Sequence, residues 1–437
     1  MTPDRSARGA GRGTIVAQPF RAALIAVLFA LTGLVFSASQ SSTGGINAPE
    51  QREKPYVVLV SLDGFRADYL DRFTLPNLAR IMKRGARAKW MNPVFPSLTF
   101  PNHYSLVTGL HPGKHGIVSN SFYDPARRQK YAMHDGPAVT DGTWYRGEPI
   151  WVTAETQGMV AACYFWPGSE AAIGGVRPTF VTPYDDDAPN DARVRRVLEW
   201  LRLPPDQRPH LITLYFSEVD TASHRNSLNS PNVERAARSL DAMMGVLIDG
   251  IDALSFGRQV NLVITSDHGM VETSRSRTIT IESLVDLSGI EHTFDGPVSS
   301  FHVAGGDIAR ARKLRDDLNA RLRKGRAYLR DELPDRYHYS ADRRAGDVVV
   351  VMEEAWTLRR ATAKLVQFGN RGAHGWDPAV PAMRAVFLAI GPTIKPGIVI
   401  DPIDNVDVYP FMTELLGLRA APGIDGQPGR IGSLVRK

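Results

Sequence analysis

Six aspartate and histidine side chains follow apolar stretches of the chain and have the residue types of metal ligands. One aspartate follows a first apolar run, an aspartate and a histidine four residues apart follow a second, and an adjacent aspartate–histidine pair follows a third. A further histidine lies in the sequence NRGAHGWDP. Mixed carboxylate and imidazole ligands are typical of zinc, whereas Mg²⁺ alone would not favour three imidazoles. The candidate ligands are Asp63, Asp220, His224, Asp267, His268 and His374.

Six ligands suit two metal ions rather than one. A catalytic zinc ion takes about three protein ligands and keeps one position open for substrate. Two ions about 4 Å apart can hold both the attacking and the leaving oxygen during displacement at phosphorus. Taken singly, an aspartate after a strand is more often a turn or helix cap, and a histidine is more often structural. The prediction of two zinc ions therefore depends on all six residues together.

The elements that must position these residues alternate between strands and helices. Continuous apolar runs rich in β-branched residues predict buried strands at residues 56–62, 210–216, 260–266 and 385–391. Helical patterns occupy residues 192–202, 233–252 and 309–325. This alternation predicts an α/β fold with a largely parallel sheet, in which side chains at the carboxyl ends of the strands converge on one crevice. The more polar stretch 270–350 is a candidate small subdomain.

Composition and charge exclude several classes of protein. The 437 residues are 43% hydrophobic and 22% charged, which is ordinary for a globular chain and excludes extended disorder and multiple membrane spans. Cys163 is the only cysteine, so an intrachain disulfide and a cysteine-rich zinc finger are excluded. The formal charge of +6 falls to +3 without residues 1–39, which hold four of the 52 basic and one of the 46 acidic residues. We therefore expect no specific nucleic-acid binding.

The N-terminal segment resembles an export signal. Arginines precede the apolar run AALIAVLFALTGLVF, and small residues follow it, so we predict a signal peptide over residues 1–39. The run is short for a membrane span, which needs about 20 residues. We expect a periplasmic or secreted protein with no stable membrane insertion after signal removal, and an uncleaved N-terminal anchor is the alternative. Residues 40–54 are polar and are predicted to form a flexible linker.

The segment NPVFPSLTFPNHYSLVTGLHPGKHGIVSN, residues 92–120, carries a family resemblance. Together with the strand-end aspartates, the D-x-x-x-H and D-H pairs and the late G-x-H-G sequence, it resembles the nucleotide pyrophosphatase/phosphodiesterase family of the alkaline phosphatase superfamily. The motifs follow in order from about residue 55 to residue 420. The resemblance implies that residues 55–437 form one catalytic domain, an alkaline phosphatase-like three-layer sandwich with a largely parallel central sheet flanked by helices.

The resemblance also implies a role for each site residue. Thr99 is the expected nucleophile, which forms a covalent phosphoryl-threonine intermediate and also contacts one of two zinc ions. Asn120 is expected to contact a phosphoryl oxygen, together with the backbone N–H of Phe100. One zinc site would consist of Asp220, His224 and His374, and the other of Asp63, Asp267 and His268.

The sequence around the nucleophile favours a phosphate diester of a nucleotide as substrate. Phosphomonoesterases of the superfamily hold the dianionic phosphate with additional cations, and residues 163–172 contain none. Phe100 and Tyr215 are candidates for stacking on a nucleobase, and Tyr184 and Trp166 are further pocket candidates. For Tyr215, ordinary core packing is an equal alternative. Two other functions stay open, namely a phosphonate monoesterase or phosphomonoesterase on the same metals, and an exported binding protein without catalysis.

Overall fold

The structure, a computed structural model, describes residues 45–362 and 370–436. The predicted signal peptide, residues 1–39, lies outside the described residues, as do residues 40–44 of the predicted linker. The rest of that linker is attached to the domain. Asn47 is buried, donates from Nδ2 to the Arg208 carbonyl at 2.8 Å and accepts the Val160 N–H at 2.8 Å. These hydrogen bonds hold Asn47 against the domain, whereas the polar composition predicted a flexible linker.

The described residues alternate between short strands and helices. The strands are β1 Tyr56–Leu62, β2 Ala86–Ala88, β3 Met91–Asn92, β4 Ser121–Asp124, β5 Gln129–Ala132, β6 Ala161–Tyr164, β7 Phe180–Thr182, β8 Leu211–Phe216, β9 Val260–Thr265, β10 Val271–Thr273, β11 Thr278–Thr280, β12 Ile290–Phe294, β13 Val298–Val303, β14 Gly325–Leu329, β15 Val348–Met352, β16 Thr357–Arg359, β17 Arg371–Ala373, β18 Phe387–Ile390, β19 Ile398–Ile400 and β20 Ile403–Asp404. The helices are α1 Tyr69–Arg72, α2 Pro76–Arg84, α3 Thr99–Thr108, α4 Pro112–His115, α5 Gly136–Thr140, α6 Ile150–Thr156, α7 Asn190–Leu201, α8 Glu218–Arg225, α9 Pro231–Asp252, α10 Ile308–Arg321, α11 Val408–Leu416 and α12 Pro428–Ile431.

The central sheet has eight strands in the order β19-β2-β18-β9-β1-β8-β6-β7. Strand β1 lies in the middle and pairs in parallel with β8 on one side and β9 on the other. The four strands predicted from apolar runs are β1, β8, β9 and β18, and β18 is the one that runs antiparallel to β9. The prediction of a largely parallel sheet is confirmed.

Both faces of the sheet are covered, which explains why the strands are continuously apolar. Val57 and Leu59 of β1 face one apolar cluster, which includes side chains of α3, α6 and α11. Val58 and Val60 face the other, which includes side chains of α2, α7 and α9. The architecture is therefore a three-layer sandwich, as the family resemblance implied.

A second sheet lies within the more polar stretch of the sequence. Its four strands are antiparallel in the order β12-β13-β15-β14, and α10 contributes to a separate apolar cluster with them. This sheet corresponds to the small subdomain proposed for residues 270–350. Among the described residues, no helix combines the length and the apolar character that crossing a membrane requires.

Candidate metal centre and active site

Five of the six candidate ligands follow three neighbouring strands of the central sheet. Asp63 comes directly after β1, and Asp267 and His268 follow β9 closely. Asp220 and His224 lie one turn apart on α8, which follows β8. Because β8, β1 and β9 are adjacent and parallel, their carboxyl ends bring these side chains to one edge of the sheet.

Glycine makes the close approach of these segments feasible. Gly64 has a φ of +66°, and a Cβ at this position would lie 3.1 Å from Cα and Cβ of Asp220. Any other residue would therefore adopt a disfavoured backbone conformation, and its Cβ would be crowded against the candidate ligand Asp220. Gly64 also donates its N–H to Asp267 Oδ1 at 3.1 Å.

The sixth ligand, His374, reaches the site from a distant part of the chain. It follows β17, which pairs antiparallel with β10. Strand β10 is the short strand just after Asp267 and His268. The ring of His374 stacks on that of His268, with a distance of 3.7 Å between the ring centroids. All six predicted ligands therefore meet at one place.

The ligands form two groups of three. The first, here called the buried trio, consists of Asp63, Asp267 and His268. The second, the open trio, consists of Asp220, His224 and His374. Within each trio, one ligand atom per residue lies within 4.8 Å of the others. This is the division that the family resemblance implied.

The three histidines share an orientation suited to metal binding. Nδ1 of His268 lies 2.9 Å from the Gly269 carbonyl, Nδ1 of His374 lies 3.0 Å from the Ser97 carbonyl, and Nδ1 of His224 lies 3.1 Å from the Gly372 carbonyl. Because a carbonyl oxygen only accepts, each Nδ1 carries a proton, and Nε2 of each neutral ring presents its lone pair to the aspartates. A backbone or carboxylate acceptor on the far nitrogen is typical of metal-binding histidines.

The carboxylates fit the same interpretation. Asp63 Oδ1, Asp220 Oδ1 and Asp267 Oδ2 are buried and accept no hydrogen bond. Burial raises the pKa of Asp63 well above its usual value, and the neighbouring charges of Asp267 and Asp220 raise it further. Burial also raises the pKa of Asp220. Buried carboxylate oxygens without donors are costly unless a cation neutralises them, so these residues fit the two metal ions predicted from the sequence.

Asp267 and His268 are in direct contact within the buried trio. Their closest atoms, Oδ2 and Nε2, are 2.9 Å apart. Burial alone would raise the pKa of Asp267, but His268 and His103 lower it below its usual value. Burial alone would lower the pKa of His268, and Asp267 raises it. Asp267 therefore keeps its negative charge, which is required of a ligand for a metal cation.

Thr99, the predicted nucleophile, adjoins the buried trio. It is the first residue of α3, and its Oγ1 lies 3.4 Å from Nε2 of His268. The first N–H groups of a helix are unpaired within the helix and favour a negative charge nearby. The position of Thr99 therefore favours an alkoxide and an anionic group bonded to it.

Asn120 approaches the same helix end with a fixed orientation. Its Oδ1 accepts the Phe100 N–H at 2.9 Å, which leaves Nδ2 as the donor end of the amide. This differs from the expectation that the Phe100 N–H itself contacts a phosphoryl oxygen, because that N–H is already used. Asn120 is only partly buried, so Nδ2 is available to a ligand.

A cavity of about 520 Å³ opens beside Thr99, Asp63 and Asp220. We call it the aromatic cavity because its aromatic lining residues are Phe100, Phe165, Trp166, Tyr184 and Tyr215. Among the described residues that line it there is no lysine or arginine. Tyr184 is 49% exposed, so its ring is accessible. The acidic residues 185–187 are exposed, and Asp186 is part of the lining.

Tyr215 has a role that the sequence analysis did not assign. Only 7% of the residue is exposed, and its hydroxyl donates to Asp63 Oδ2 at 2.5 Å. Burial raises the pKa of Tyr215 well above its usual value, and Asp63 raises it further, so the hydroxyl keeps its proton. Tyr215 therefore orients a ligand of the buried trio as well as lining the cavity.

With the geometry in place, comparisons with known proteins identify the family. The family model of type I phosphodiesterase/nucleotide pyrophosphatase matches residues 57–377, a range that contains all six ligands and Thr99. The chain belongs to this family.

Similar proteins and solved structures are also nucleotide pyrophosphatase/phosphodiesterases, in agreement with the family model. Human ectonucleotide pyrophosphatase/phosphodiesterase family member 1 is 37% identical over 403 residues, which cover 89% of this chain and 42% of that protein. The chain thus spans about two fifths of the human protein. An uncharacterised pyrophosphatase/phosphodiesterase of Schizosaccharomyces pombe is 35% identical, with 84% of this chain and 78% of that protein covered. Murine ectonucleotide pyrophosphatase/phosphodiesterase 5, as an inactive variant in complex with AMP, has a TM-score of 0.82 and 29% identity and covers 88% of this chain and 100% of that one.

The sequence analysis of this phosphodiesterase family member missed His103. The residue lies one turn after Thr99 on α3 and is fully buried. Its Nδ1 donates to the Thr99 carbonyl at 2.9 Å, and its Nε2 lies 2.8 Å from Ser61 Oγ. Nδ1 also lies 3.4 Å from Asp267 Oδ2. Its spacing of four residues from Thr99 was the available signal, because residues four apart share a face where the chain is helical, as it is here.

Proposed function

We propose that this protein is a dizinc hydrolase of phosphate diesters, which cleaves nucleotide pyrophosphate and phosphodiester bonds to nucleoside monophosphates through a covalent intermediate on Thr99. The observation that carries the proposal is the position of the Thr99 hydroxyl, 3.4 Å from Nε2 of His268 in the buried trio, on a residue that lines the aromatic cavity. The murine relative that was solved with AMP supports a nucleotide as the ligand of this site.

The two trios would hold the metal ions. Asp63, Asp267 and His268 would bind one zinc ion, and Asp220, His224 and His374 the other. Bound zinc supplies Lewis-acid chemistry, which lowers the pKa of a coordinated hydroxyl and neutralises charge on phosphoryl oxygens.

The residues of the chain account for the covalent steps. Thr99 Oγ1 attacks phosphorus, so that the Oγ1–P bond forms while the bond from phosphorus to the leaving oxygen breaks, and the proton of the Thr99 hydroxyl passes to the leaving group or to solvent. A water molecule then attacks phosphorus, the Oγ1–P bond breaks, and the Thr99 hydroxyl is restored with one of the protons of that water. Asn120 Nδ2 would donate to a non-bridging oxygen in both steps, since its Oδ1 is held by the Phe100 N–H.

The lining of the aromatic cavity favours a diester over a monoester. A phosphate monoester carries a second negative charge, which cationic side chains near the nucleophile would balance. The described residues that line the aromatic cavity include no lysine or arginine, and Phe100 and Tyr184 offer faces for a nucleobase. The alternatives, a phosphonate monoesterase or phosphomonoesterase and a non-catalytic binding protein, lack such a supporting observation.

The proposal is tested with purified zinc-loaded protein of residues 40–437. We would compare kcat/KM for bis-p-nitrophenyl phosphate and p-nitrophenyl phosphate, with Thr99→Ala measured beside the wild type. A preference for the diester that the variant loses is expected. A preference for the monoester would support the phosphomonoesterase, and bound zinc without activity on either substrate would support the binding protein.

We further propose that the protein is exported, since residues 22–36 have the apolar character and residues 37–39 the small side chains of a cleavable signal. The name of the human relative, an ectonucleotide pyrophosphatase, supports an extracytoplasmic site of action. N-terminal sequencing of the protein recovered from the periplasm or medium should place the new terminus near residue 40. Recovery from the cytoplasm with an intact N-terminus would contradict export.

A further inference from the structure

A further cavity lies where the hairpin of β4 and β5 meets the four-stranded sheet. It has a volume of about 570 Å³, and its described lining residues include no metal ligand and none that lines the aromatic cavity. Tyr123 of β4 packs on His292 of β12, with 3.9 Å between the ring centroids, and so joins the hairpin to the sheet at this place. We call this space the junction cavity.

A buried ion pair fixes the two chain segments that bring arginines to the junction cavity. Asp124, the last residue of β4, pairs with Arg344 at 2.8 Å, and both residues are buried. Asp124 Oδ1 also accepts the Ala126 N–H at 2.9 Å, and Arg344 Nη1 donates to the Gly116 carbonyl at 2.9 Å. The turn of the hairpin and the turn at residues 343–345 are therefore held beside each other without a ligand, which lowers the cost of binding one.

Arg128 and Arg343 line the junction cavity without an anionic partner. Their chain neighbours are paired within the protein, Arg127 with Asp141 at 2.8 Å and Arg344 as described above. In the part of the chain that the structure describes, no carboxylate forms an ion pair with Arg128 or Arg343, and both residues are exposed. Guanidinium groups left in this way favour an anion with two or more oxygens, which they bind in a fork geometry.

The backbone at Arg128 has a conformation that favours glycine. Its φ is +52°, in the left-handed region that is disfavoured for a residue with a Cβ. Glycine would suit this turn better but would remove the guanidinium from the cavity. Stability of the hairpin therefore does not explain the arginine, and a role in binding does.

Glycines accommodate the second arginine. Gly305 and Gly306 line the cavity with φ values of +65° and +67°. A Cβ at Gly306 would lie 3.3 Å from Arg343 Nη2, and a Cβ at Gly305 would meet nothing within 4 Å. The guanidinium of Arg343 thus lies against backbone without side chains, and open space remains next to it.

The other ionisable groups of the cavity do not pair with the arginines. Asp347 Oδ2 accepts the Val303 N–H at 2.9 Å, and Glu291 Oε1 accepts the Tyr123 hydroxyl at 3.4 Å. His302 is 3% exposed, and its burial lowers its pKa to about 4, so the ring is neutral near pH 7. Its Nε2 has no hydrogen-bond partner among the described residues. The arginines therefore remain available to a ligand.

We propose that the junction cavity binds a small organic anion, whose phosphate or carboxylate group lies between Arg128 and Arg343. The volume of the cavity is within the range of ordinary small-molecule sites. This site is separate from the metal centre and does not depend on the proposed hydrolysis. A phosphate ester and a dicarboxylate offer the arginines the same charged oxygens, so one probe of each kind is needed.

Calorimetry on the zinc-loaded protein tests the proposal, with glycerol 3-phosphate and succinate as the probes. The wild type should bind at least one of them, and Arg128→Gly and Arg343→Ala should each raise its Kd by about tenfold or more, as loss of a hydrogen bond to a charged group predicts. Arg323→Ala, which changes an exposed arginine outside the cavity, should leave Kd unchanged. The probe that binds identifies the ligand as a phosphate ester or a carboxylate. A probe held only by the metal ions would keep its Kd in both arginine variants, and that result, or no binding of either probe, would overturn the proposal.

Arg128→Gly also separates binding from stability. Because glycine accepts a φ of +52° without strain, the Tm of this variant should not fall, and its zinc content should equal that of the wild type. Loss of probe binding at an unchanged Tm would support the site. Loss of probe binding together with a lower Tm would show that Arg128 stabilises the hairpin and would contradict its assignment to a ligand.

Discussion

The two ligand trios have the same kinds of residue but very different exposure. In the buried trio, the side chains of Asp63 and His268 are 2% and 0% exposed. In the open trio, those of Asp220 and His224 are 15% and 42% exposed. The buried trio lies beside Thr99, and the open trio faces a cavity lined by arginines. In the proposed function, Thr99 beside the buried trio is the nucleophile, and the open trio is the more accessible of the two sites.

The origin of the difference lies in the elements that carry the ligands. The buried trio is built from residues that directly follow two central strands, β1 and β9, where both neighbours and covering helices exclude solvent. The open trio is built from one helix, α8, and the residue after one short strand, β17, and two of its members line a cavity of about 510 Å³. Solvent exposure therefore follows from sheet position rather than from ligand type.

The largest expected effect comes from exchanging one ligand in each trio. Asp267→Asn should lower kcat/KM by at least about 10³-fold, because Asp267 contacts both His268 and the Gly64 N–H and a neutral amide cannot replace its charge. His224→Gln, in the open trio, should lower kcat/KM by roughly 10–100-fold. Elemental analysis should show a greater loss of zinc for Asp267→Asn. Equal losses in the two variants would break the distinction between the trios.

A smaller effect is expected when the support of a buried ligand is removed. Tyr215→Phe deletes the hydroxyl that donates to Asp63 and keeps the ring in the cavity. Zinc affinity should fall by roughly 10-fold, since outer hydrogen bonds to metal ligands contribute about 10–100-fold. Competition with a chelator would measure it. If the affinity is unchanged but KM for nucleotides rises, Tyr215 acts through stacking instead.

Phe100→Ala tests the nucleoside side of the site. Loss of one stacking ring should raise KM for nucleotide substrates by about tenfold, because stacking on one base contributes about 1–3 kcal/mol. KM for bis-p-nitrophenyl phosphate should change less, since that substrate has no nucleobase. A parallel rise for both substrates would argue against base stacking at Phe100.

The smallest effect concerns the pH dependence of metal binding. Without metal, the pKa values of Asp63 and Asp220 are raised, so the folded trios bind protons at a higher pH than an exposed aspartate does. Zinc must displace those protons, and its stabilising effect should therefore decrease as the pH falls and increase as it rises. Thermal unfolding with and without zinc across acidic to neutral pH measures this. A zinc-induced rise in Tm that does not vary with pH would contradict the assignment of both aspartates.

The strands and the five strand-end ligands were predictable from the sequence for a local reason. Apolar runs such as residues 56–62 are long and continuous because both faces of the sheet are covered, and β1 has the predicted bounds. Once the strands are placed, Asp63 and Asp267 follow at their carboxyl ends. The role predicted for Thr99 required more, because it follows only from the family resemblance.

Other features depended on contacts between distant segments and were not predictable. The hydroxyl of Tyr215 meets Asp63 across 152 positions of sequence. The cavity beside His224 and His374 combines residues of α8, β16 and β17, and no local pattern relates Arg225 to Arg371. The attachment of Asn47 to the domain, through the carbonyl of Arg208, is likewise a long-range contact. Polar composition alone predicted a flexible segment there.

The most direct test of the central claim is to trap the covalent intermediate on Thr99. Zinc-loaded protein would be mixed with a nucleotide diester, quenched in acid within the first turnovers and digested for mass spectrometry. We predict a nucleotidyl group on the peptide that contains Thr99, and its absence from Thr99→Ala treated in the same way. A nucleotidyl group on another residue, or undiminished turnover by Thr99→Ala, would contradict the account.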